Sequence, residues 1–161
     1  MTIDNDATDT IPSRPEEQEA RAYVVLSLDD QLFVLDVAHV REILDMARMS
    51  PLPGAGSDVL GLIDLRGRAI EVADLAVRLG LPRSPAGGEG RILVLDGGGD
   101  RPRGLRVDRV ESVIEIAPDA FEPAEYGQSG GAVRAITRID GRLALALDGN
   151  AALGAGGGWP L

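Results

Sequence analysis

The residues that could carry out chemistry in this chain are few. His39 is the only histidine, and there is no cysteine. These counts exclude a zinc site built from several histidines or cysteines, and they exclude a Cys/His dyad. A Ser/His/Asp triad would have to use His39, which is more simply interpreted as a partly exposed residue on a short helix. The sequence therefore predicts no catalytic residue, no metal site and no cofactor.

Glycine-rich segments and acidic pairs offer no better site. The runs at 87–90 and 97–99 lack the Lys-Ser/Thr pair and the strand-to-helix context of a phosphate-binding loop. Asp29 and Asp30 fall in a predicted hairpin turn, where solvated acidic residues are common. These observations favour a protein that works through contacts with other proteins rather than through catalysis.

The bend Arg66-Gly67-Arg68 is the most distinctive candidate for such a contact. It lies between two predicted strands in "VLGLIDLRGRAIEVADL", residues 59–75. The planar guanidinium of an arginine can hold a carboxylate through two hydrogen bonds, or it can cap a backbone turn. Arg66 thus either fixes its own hairpin or meets a partner, and both interpretations are open at this point.

Composition narrows the class of partner. The 161 residues include 26 Asp and Glu against 16 Lys and Arg, which gives a net charge of −10. Such a charge opposes binding to nucleic acid or to an anionic membrane surface. The N-terminal segment lacks the basic-then-apolar order of a secretory signal, and no apolar run approaches the length of a membrane span. We expect a cytoplasmic protein that binds no nucleic acid and does not insert into a membrane.

Short strands are the elements that must position the bend. From Tyr23 onward, runs such as "YVVLSL", "LFVLDV", "RILVLD" and "RLALALD" alternate with turn residues, a pattern typical of a β-barrel or β-sandwich. The hairpin "LIDLRGRAIEVADL" has a weak echo in "AITRIDGRLALALD", which suggests two similar small barrels. Residues 1–20 are polar and acidic and predict a disordered tail, and residues 154–161 predict a flexible Gly-rich tail.

Helical segments are few. "DLAVRLGLP" predicts a helix with Asp74 as its N-cap and Gly80 at its end. "VAHVREILDMA" predicts a second helix, because four apolar residues recur at helical spacing on one face. These residues are Val37, Val40, Ile43 and Leu44.

Four segments, in family order, resemble the CheW family of chemotaxis coupling proteins. "VLGLIDLRGRAIEVADLAVRLGL" resembles the family's Leu-Arg-Gly turn and the strand that follows, and "YVVLSLDDQLFVLDVAHVREIL" resembles its opening hairpin and Val-x-Glu-Ile segment. "GLRVDRVESVIEI" resembles its Val-Asp-x-Val stretch, and "ITRIDGRLALALD" resembles its closing hairpin. The resemblance predicts a CheW-like domain at residues 21–153, between the two tails.

The resemblance implies a mainly β fold of two five-stranded, SH3-like β-barrel subdomains with a few short helices, and it implies no enzymatic activity. It also implies two partners, the regulatory domain of a CheA-type histidine kinase and the cytoplasmic tip of a methyl-accepting chemoreceptor. Association with membrane-attached receptor arrays would then be indirect. Because no long heptad pattern is present, we expect a monomer when the protein is free of its partners.

The resemblance assigns three partner-binding residues to the Val-x-Glu-Ile segment and three to the Leu-Arg-Gly turn. In chain order they are Val40, Glu42, Ile43, Leu65, Arg66 and Gly67. Two positions depart from the family pattern, with Asp64 in place of Asn and Glu71 in place of Pro. The Asp64 carboxylate can still accept hydrogen bonds from the amides of the turn, although it cannot donate one as an amide side chain would.

Three other functions stay open from the sequence alone. A diverged CheW-like adaptor could serve a non-flagellar chemosensory pathway. A small-ligand-binding β-barrel could use an apolar cleft between the subdomains, although the sequence offers few converging polar groups for a ligand. A hydrolase or transferase would need a nucleophile and a base that cannot be assembled from these residues.

Overall fold

Short strands dominate the part of the chain that the structure, a computed structural model, describes: residues 19–82, 89–96, 101–124 and 131–153. These residues form eleven strands, two α-helices and two 3-10 turns. The strands are β1 (Arg21–Leu28), β2 (Gln31–Asp36), β3 (Val40–Asp45), β4 (Val59–Leu65), β5 (Arg68–Asp74), β6 (Arg91–Leu95), β7 (Arg103–Val107), β8 (Arg109–Ile116), β9 (Glu122–Pro123), β10 (Val133–Ile139) and β11 (Arg142–Leu147). The helices are α1 (Leu75–Arg78) and α2 (Gly149–Ala152), and the 3-10 turns are Val37–His39 and Pro118–Ala120.

The two predicted tails are not part of this description. Residues 1–18 and 154–161 lie outside the described residues. Among the residues that are described, no helix is long and apolar enough to cross a membrane.

Two sheets with the same plan make up the fold. The five-stranded sheet has the order β3-β6-β7-β5-β4, and the six-stranded sheet has the order β9-β10-β11-β2-β1-β8. In each sheet, one parallel pairing joins two antiparallel hairpins: β5 to β7 in the five-stranded sheet, and β11 to β2 in the six-stranded sheet. The extra strand, β9, is two residues long. The predicted mainly β fold with two subdomains is confirmed, and the echo between the two hairpins corresponds to this shared plan.

The two echoing hairpins turn through the same kind of loop. Arg66 and Gly67 connect β4 to β5 with φ of 53° and 86°, and Asp140 and Gly141 connect β10 to β11 with φ of 51° and 80°. Two consecutive left-handed residues make a type I′ turn, whose twist matches that of the flanking strands. Gly67 is needed for this conformation rather than for space, since a Cβ atom there would meet nothing within 4 Å.

Each of these hairpins leads directly into a helix of four residues. The Asp74 side chain accepts a hydrogen bond from the Ala76 amide at 3.0 Å and caps α1 as predicted. Asp148 caps α2 in the same way, at 3.0 Å from the Asn150 amide. Both hairpins therefore end with the same local signal, an aspartate N-cap.

The two sheets share a core and each also has its own. The shared core includes Leu26 and Phe33 from the six-stranded sheet and Leu93 and Leu105 from the five-stranded sheet, all almost completely buried. An inner cluster fills the five-stranded sheet: Ile63, Ile70, Val72, Ile92 and Val94. A second inner cluster fills the six-stranded sheet: Val25, Leu32, Val34, Ile116, Ala144 and Ala146. Each large apolar side chain buried in this way contributes about 1.5–3 kcal/mol, so these clusters are the main source of stability.

The helix predicted for "VAHVREILDMA" is wrong. A 3-10 turn covers only Val37–His39, and β3 follows from Val40 and pairs with β6. The burial of β3 alternates residue by residue, which is the pattern of a strand with one covered face. Pairing with β6 outweighs a weak helical spacing in a segment whose β-branched residues fit a strand well. His39 therefore lies on a 3-10 turn and is half-buried.

A buried ionic contact ties the two sheets together at the end of β7. The Arg106 guanidinium donates to the Asp108 carboxylate at 2.8 Å and to the Glu89 carbonyl at 2.6 Å. The other oxygen of Asp108 accepts a hydrogen bond from the Asp29 amide, in the turn between β1 and β2, at 2.6 Å. The first hairpin of the chain is therefore held against the five-stranded sheet by a fully partnered charge pair.

Candidate partner-binding site

The bend between β4 and β5 is fixed by Asp64 and not by Arg66. The Asp64 carboxylate accepts a hydrogen bond from the Gly67 amide at 2.8 Å, as the sequence analysis expected. The Arg66 side chain points elsewhere and is about two-thirds exposed. Of the two interpretations of Arg66, the one in which it ties down its own turn does not correspond to the observed contacts.

Arg66 instead reaches Glu42 on β3. The guanidinium forms a bidentate contact, with Nη1 3.3 Å from Oε1 and Nη2 close to Oε2. Two parallel hydrogen bonds fix the orientation of the guanidinium plane as well as its position. The structure thus brings together two residues that come from separate predicted segments.

This ion pair spans the open edges of the five-stranded sheet. β3 and β4 are the two outermost strands of that sheet. In a flat sheet they would lie four strand spacings apart, which is about 19 Å at roughly 4.8 Å for each spacing. Direct contact between side chains from the two edges requires the sheet to curl strongly, so the fold positions this pair.

The pair is exposed and contributes little to stability. Glu42 is 30% exposed and Arg66 is 66% exposed. Ion pairs in contact with solvent contribute roughly 0.2–1 kcal/mol or less. The fold does not depend on this contact, which leaves both side chains available to a binding partner.

The other predicted site residues lie in different surroundings. Leu65 packs against the inner cluster of the five-stranded sheet, next to the bend. Ile43 follows Glu42 in β3, so its side chain points to the opposite face, where it is 37% exposed. Val40 packs against the shared core. Glu42, Leu65, Arg66 and Gly67 are therefore close together, whereas Ile43 points to the opposite face and Val40 packs against the shared core.

An open cleft beside the bend was missed by the sequence analysis. Its volume is about 600 Å³, and its lining includes Arg48, Ser50, Leu62, Gly67 and Arg68. Ser50 reaches this place because its backbone pairs with that of Leu62. No local pattern in the sequence indicates this bridge. Arg68 lines the cleft and Arg66 contacts Glu42, so the two arginines of the bend serve different surfaces.

The geometry described so far matches a known family. The family model of the CheW-like domain matches residues 22–156. The chain belongs to the CheW-like family. The resemblance found in the sequence analysis is thereby confirmed.

Individual CheW proteins are similar over most of the chain. The chemotaxis protein CheW of Thermotoga maritima is 28% identical over 131 residues, which cover 80% of this chain and 85% of that protein. The chemotaxis protein CheW of Rhizobium meliloti is 27% identical over 128 residues, covering 76% and 81%. The crystal structure of the scaffolding protein TtCheW from Thermoanaerobacter tengcongensis matches with a TM-score of 0.74 at 27% identity, covering 81% of this chain and 85% of that one.

Proposed function

We propose that this protein is a chemotaxis coupling adaptor that joins the cytoplasmic tips of chemoreceptors to the regulatory domain of a CheA-type histidine kinase. Family membership and the similarity to CheW proteins and to a CheW scaffolding protein support the coupling role. The same relationships support an adaptor without catalytic activity of its own. They do not favour a small-ligand-binding barrel as the main function. The proposed place of action is the cytoplasm, at receptor arrays that the adaptor reaches through its partners.

The Arg66–Glu42 pair is the observation that carries the site assignment. It presents one cation and one anion, held in a fixed mutual orientation, on an exposed edge of the five-stranded sheet. A charged pair of this kind gives an interface specificity and register more than raw affinity. We assign the receptor-facing surface to this pair together with Leu65 and Gly67, and we place Val40 and Ile43 at its border.

Charge reversal at the bend tests the proposal. Arg66→Glu should leave the circular dichroism spectrum native and should strongly reduce receptor-dependent activation of the kinase in reconstituted membranes. The loss of a charged contact at an interface costs about 2 kcal/mol or more, which weakens coupling by roughly thirtyfold or more. Arg68→Glu is the matched control, because Arg68 lies in the same bend but faces the cleft. Full coupling by Arg66→Glu would overturn the site assignment.

A charge swap separates direct contact from positioning. In the double variant Glu42→Arg with Arg66→Glu, the two charges exchange places and the ion pair can form again. Recovery of coupling would mean that the pair acts by holding the two edge strands together. Persistent loss would mean that the guanidinium of Arg66 itself touches the receptor.

A further inference from the structure

At two matched positions of the hairpins β4–β5 and β10–β11, the six-stranded sheet carries alanine where the five-stranded sheet carries a larger side chain. Counted from the two-residue loops of the two hairpins, Ile70 and Val72 in β5 occupy the positions of Ala144 and Ala146 in β11. All four belong to the inner clusters of their sheets. Of the two alanines, Ala146 lacks two carbon atoms that Val72 supplies, and it lines an open cleft at the six-stranded sheet.

This cleft is open to solvent and has a volume of about 540 Å³. Ala135 and Ala146 line it, together with the rings of Tyr23 and Phe121, whose centroids are 5.3 Å apart at an angle of 55°. Its size falls in the range of pockets that hold small molecules, roughly 300–1,000 Å³. In a chain with two Phe, two Tyr and one Trp, two of these rings meet at a single cleft.

Charged groups surround the apolar surface of the cleft. Arg21 forms an ion pair with Asp36 at 3.1 Å, and both line the cleft. Arg134 also lines it and has no ion-pair partner among the residues that the structure describes. The cleft therefore offers one guanidinium already balanced by a carboxylate and one that is not, which favours an anion over a cation.

Two further polar side chains, those of Tyr23 and His39, complete the lining. Burial raises the pKa of the Tyr23 hydroxyl above its usual value of 10.0, and Asp36 raises it further, against the opposing effect of Arg21 and Arg134. The phenol therefore remains protonated at neutral pH and can donate a hydrogen bond. The His39 ring packs against Gly149 at the start of α2, where a Cβ atom would be 3.1 Å from the ring carbon Cγ.

We propose that this cleft binds a small aromatic carboxylate, with the ring against Tyr23, Phe121 and Ala146 and the carboxylate on Arg134. The apolar floor and the aromatic walls recognise the ring, and the guanidinium holds the anion through two hydrogen bonds. The site belongs to the six-stranded sheet, whereas the Arg66–Glu42 pair belongs to the five-stranded sheet. The proposal therefore does not depend on the coupling function.

Benzoate and indole-3-acetate are suitable probes, with benzylamine as the control of opposite charge. Titration of the full chain should shift the imidazole signals of His39, which are unique because the chain has one histidine. A ligand of this size is expected to bind with a Kd on the order of a millimolar. Benzylamine should cause no saturable shift. Equal binding of benzylamine, or no saturable shift with either anion, would overturn the proposal.

Two variants place the ligand in the cleft. Ala146→Val supplies the side chain that Val72 provides in the other sheet, and it should weaken benzoate binding about tenfold or more by filling the floor. Arg134→Gln should weaken benzoate about tenfold while leaving benzyl alcohol unaffected, so it remains informative if Ala146→Val does not fold. Arg138→Gln is the matched control, on the same strand but outside the cleft.

A protein partner in the cleft is the main competing outcome. If neither anion binds and Arg134→Gln instead weakens the binding of a kinase or receptor fragment, the cleft is a protein interface and the ligand proposal is wrong. Unchanged benzoate affinity in both cleft variants would also contradict it.

Discussion

The hairpins β4–β5 and β10–β11 have the same type of backbone turn, but the first central residue of the turn carries opposite charges in the two. The first central residue of the turn is Arg66 in one hairpin and Asp140 in the other, at φ of 53° and 51°. Aspartate tolerates the left-handed region better than arginine, which is uncommon there. Since Asp140 makes the same turn, the fold does not require an arginine at this place. An unfavourable residue in the left-handed region points to a role in function rather than in folding, which supports the role proposed for Arg66.

A second difference lies inside the sheets. In the hairpin with Arg66 at its bend, the buried side chains of β5 are Ile70 and Val72. In the hairpin with Asp140 at its bend, the residues at the same positions of β11 are Ala144 and Ala146. Both sheets have a buried inner cluster, and they differ in the size of the side chains at these two positions and in the charge at the bend. The same strand order therefore supports two surfaces of different chemistry.

The largest effect is expected from emptying the filled interior. Ile70→Ala should lower the free energy of unfolding by about 2–5 kcal/mol, because Ile70 is 2% exposed and a cavity would remain. Urea denaturation measures the loss. Leu143→Ala is the control: Leu143 lies in the corresponding hairpin and is 47% exposed, so the change should stay within about 0.5 kcal/mol. A cost for Ile70→Ala below that of the control would contradict the assignment of a filled interior.

Because the two bends have the same backbone conformation, replacing the glycine of either bend should lower the free energy of unfolding by the same amount. Gly67→Ala and Gly141→Ala should each cost about 1–2 kcal/mol, because both put a Cβ atom on a left-handed residue. Thermal unfolding of the two variants should agree within the error of the measurement. Costs that differ by more than about 1 kcal/mol would show that the two bends are not equivalent.

Removing the charge of Arg66 should have opposite effects on stability and on receptor coupling. Arg66→Asn introduces the residue that type I′ turns prefer before glycine, and it should raise the free energy of unfolding by about 0.5–1 kcal/mol. The same variant should lose receptor coupling. Asp140→Asn is the matched change in the other hairpin and should leave coupling intact. If Arg66→Asn were both destabilised and fully active, the comparison of the two bends would fail.

Adding side-chain volume at Ala146 should have the smallest effect. Ala146→Val adds two methyl groups beside the cleft, and we expect the free energy of unfolding to change by less than about 1 kcal/mol, in contrast to the loss from Ile70→Ala. Differential scanning calorimetry would show the change. A drop of several kcal/mol would mean that the alanine floor is tightly packed and not open.

Local rules predicted the parts of this molecule that depend on neighbouring residues. The Arg66-Gly67 bend, the role of Asp64 and the Asp74 cap all follow from residue types within a few positions of each other. β3 was assigned to a helix because its apolar spacing fits both structures, and only its pairing with β6 decides between them. The contact between Arg66 and Glu42 depends on the curl of a whole sheet, which no short segment encodes.

The cleft in the six-stranded sheet could not be predicted from the sequence for a related reason. The rings of Tyr23 and Phe121 come from distant parts of the chain, and the alanine floor is apparent only when β11 is compared with β5 in register. The resemblance to the CheW family identified Glu42 and Arg66 as site residues, but it did not predict that they contact each other. Long-range pairing was therefore the information that the sequence analysis lacked.

The parallel pairing of β11 with β2 has a consequence for synthesis of the chain. β3 to β7 are contiguous, so the five-stranded sheet has all its strands once Val107 has left the ribosome. The six-stranded sheet combines the first two strands of the chain with the last four. Leu32 on β2 can therefore pair with Ala144 on β11 only after almost the whole domain has been synthesised. The opening hairpin therefore emerges first and finds its final neighbours last. Such distant contacts form slowly, so the first hairpin is the part of the nascent protein most exposed to aggregation and to chaperones.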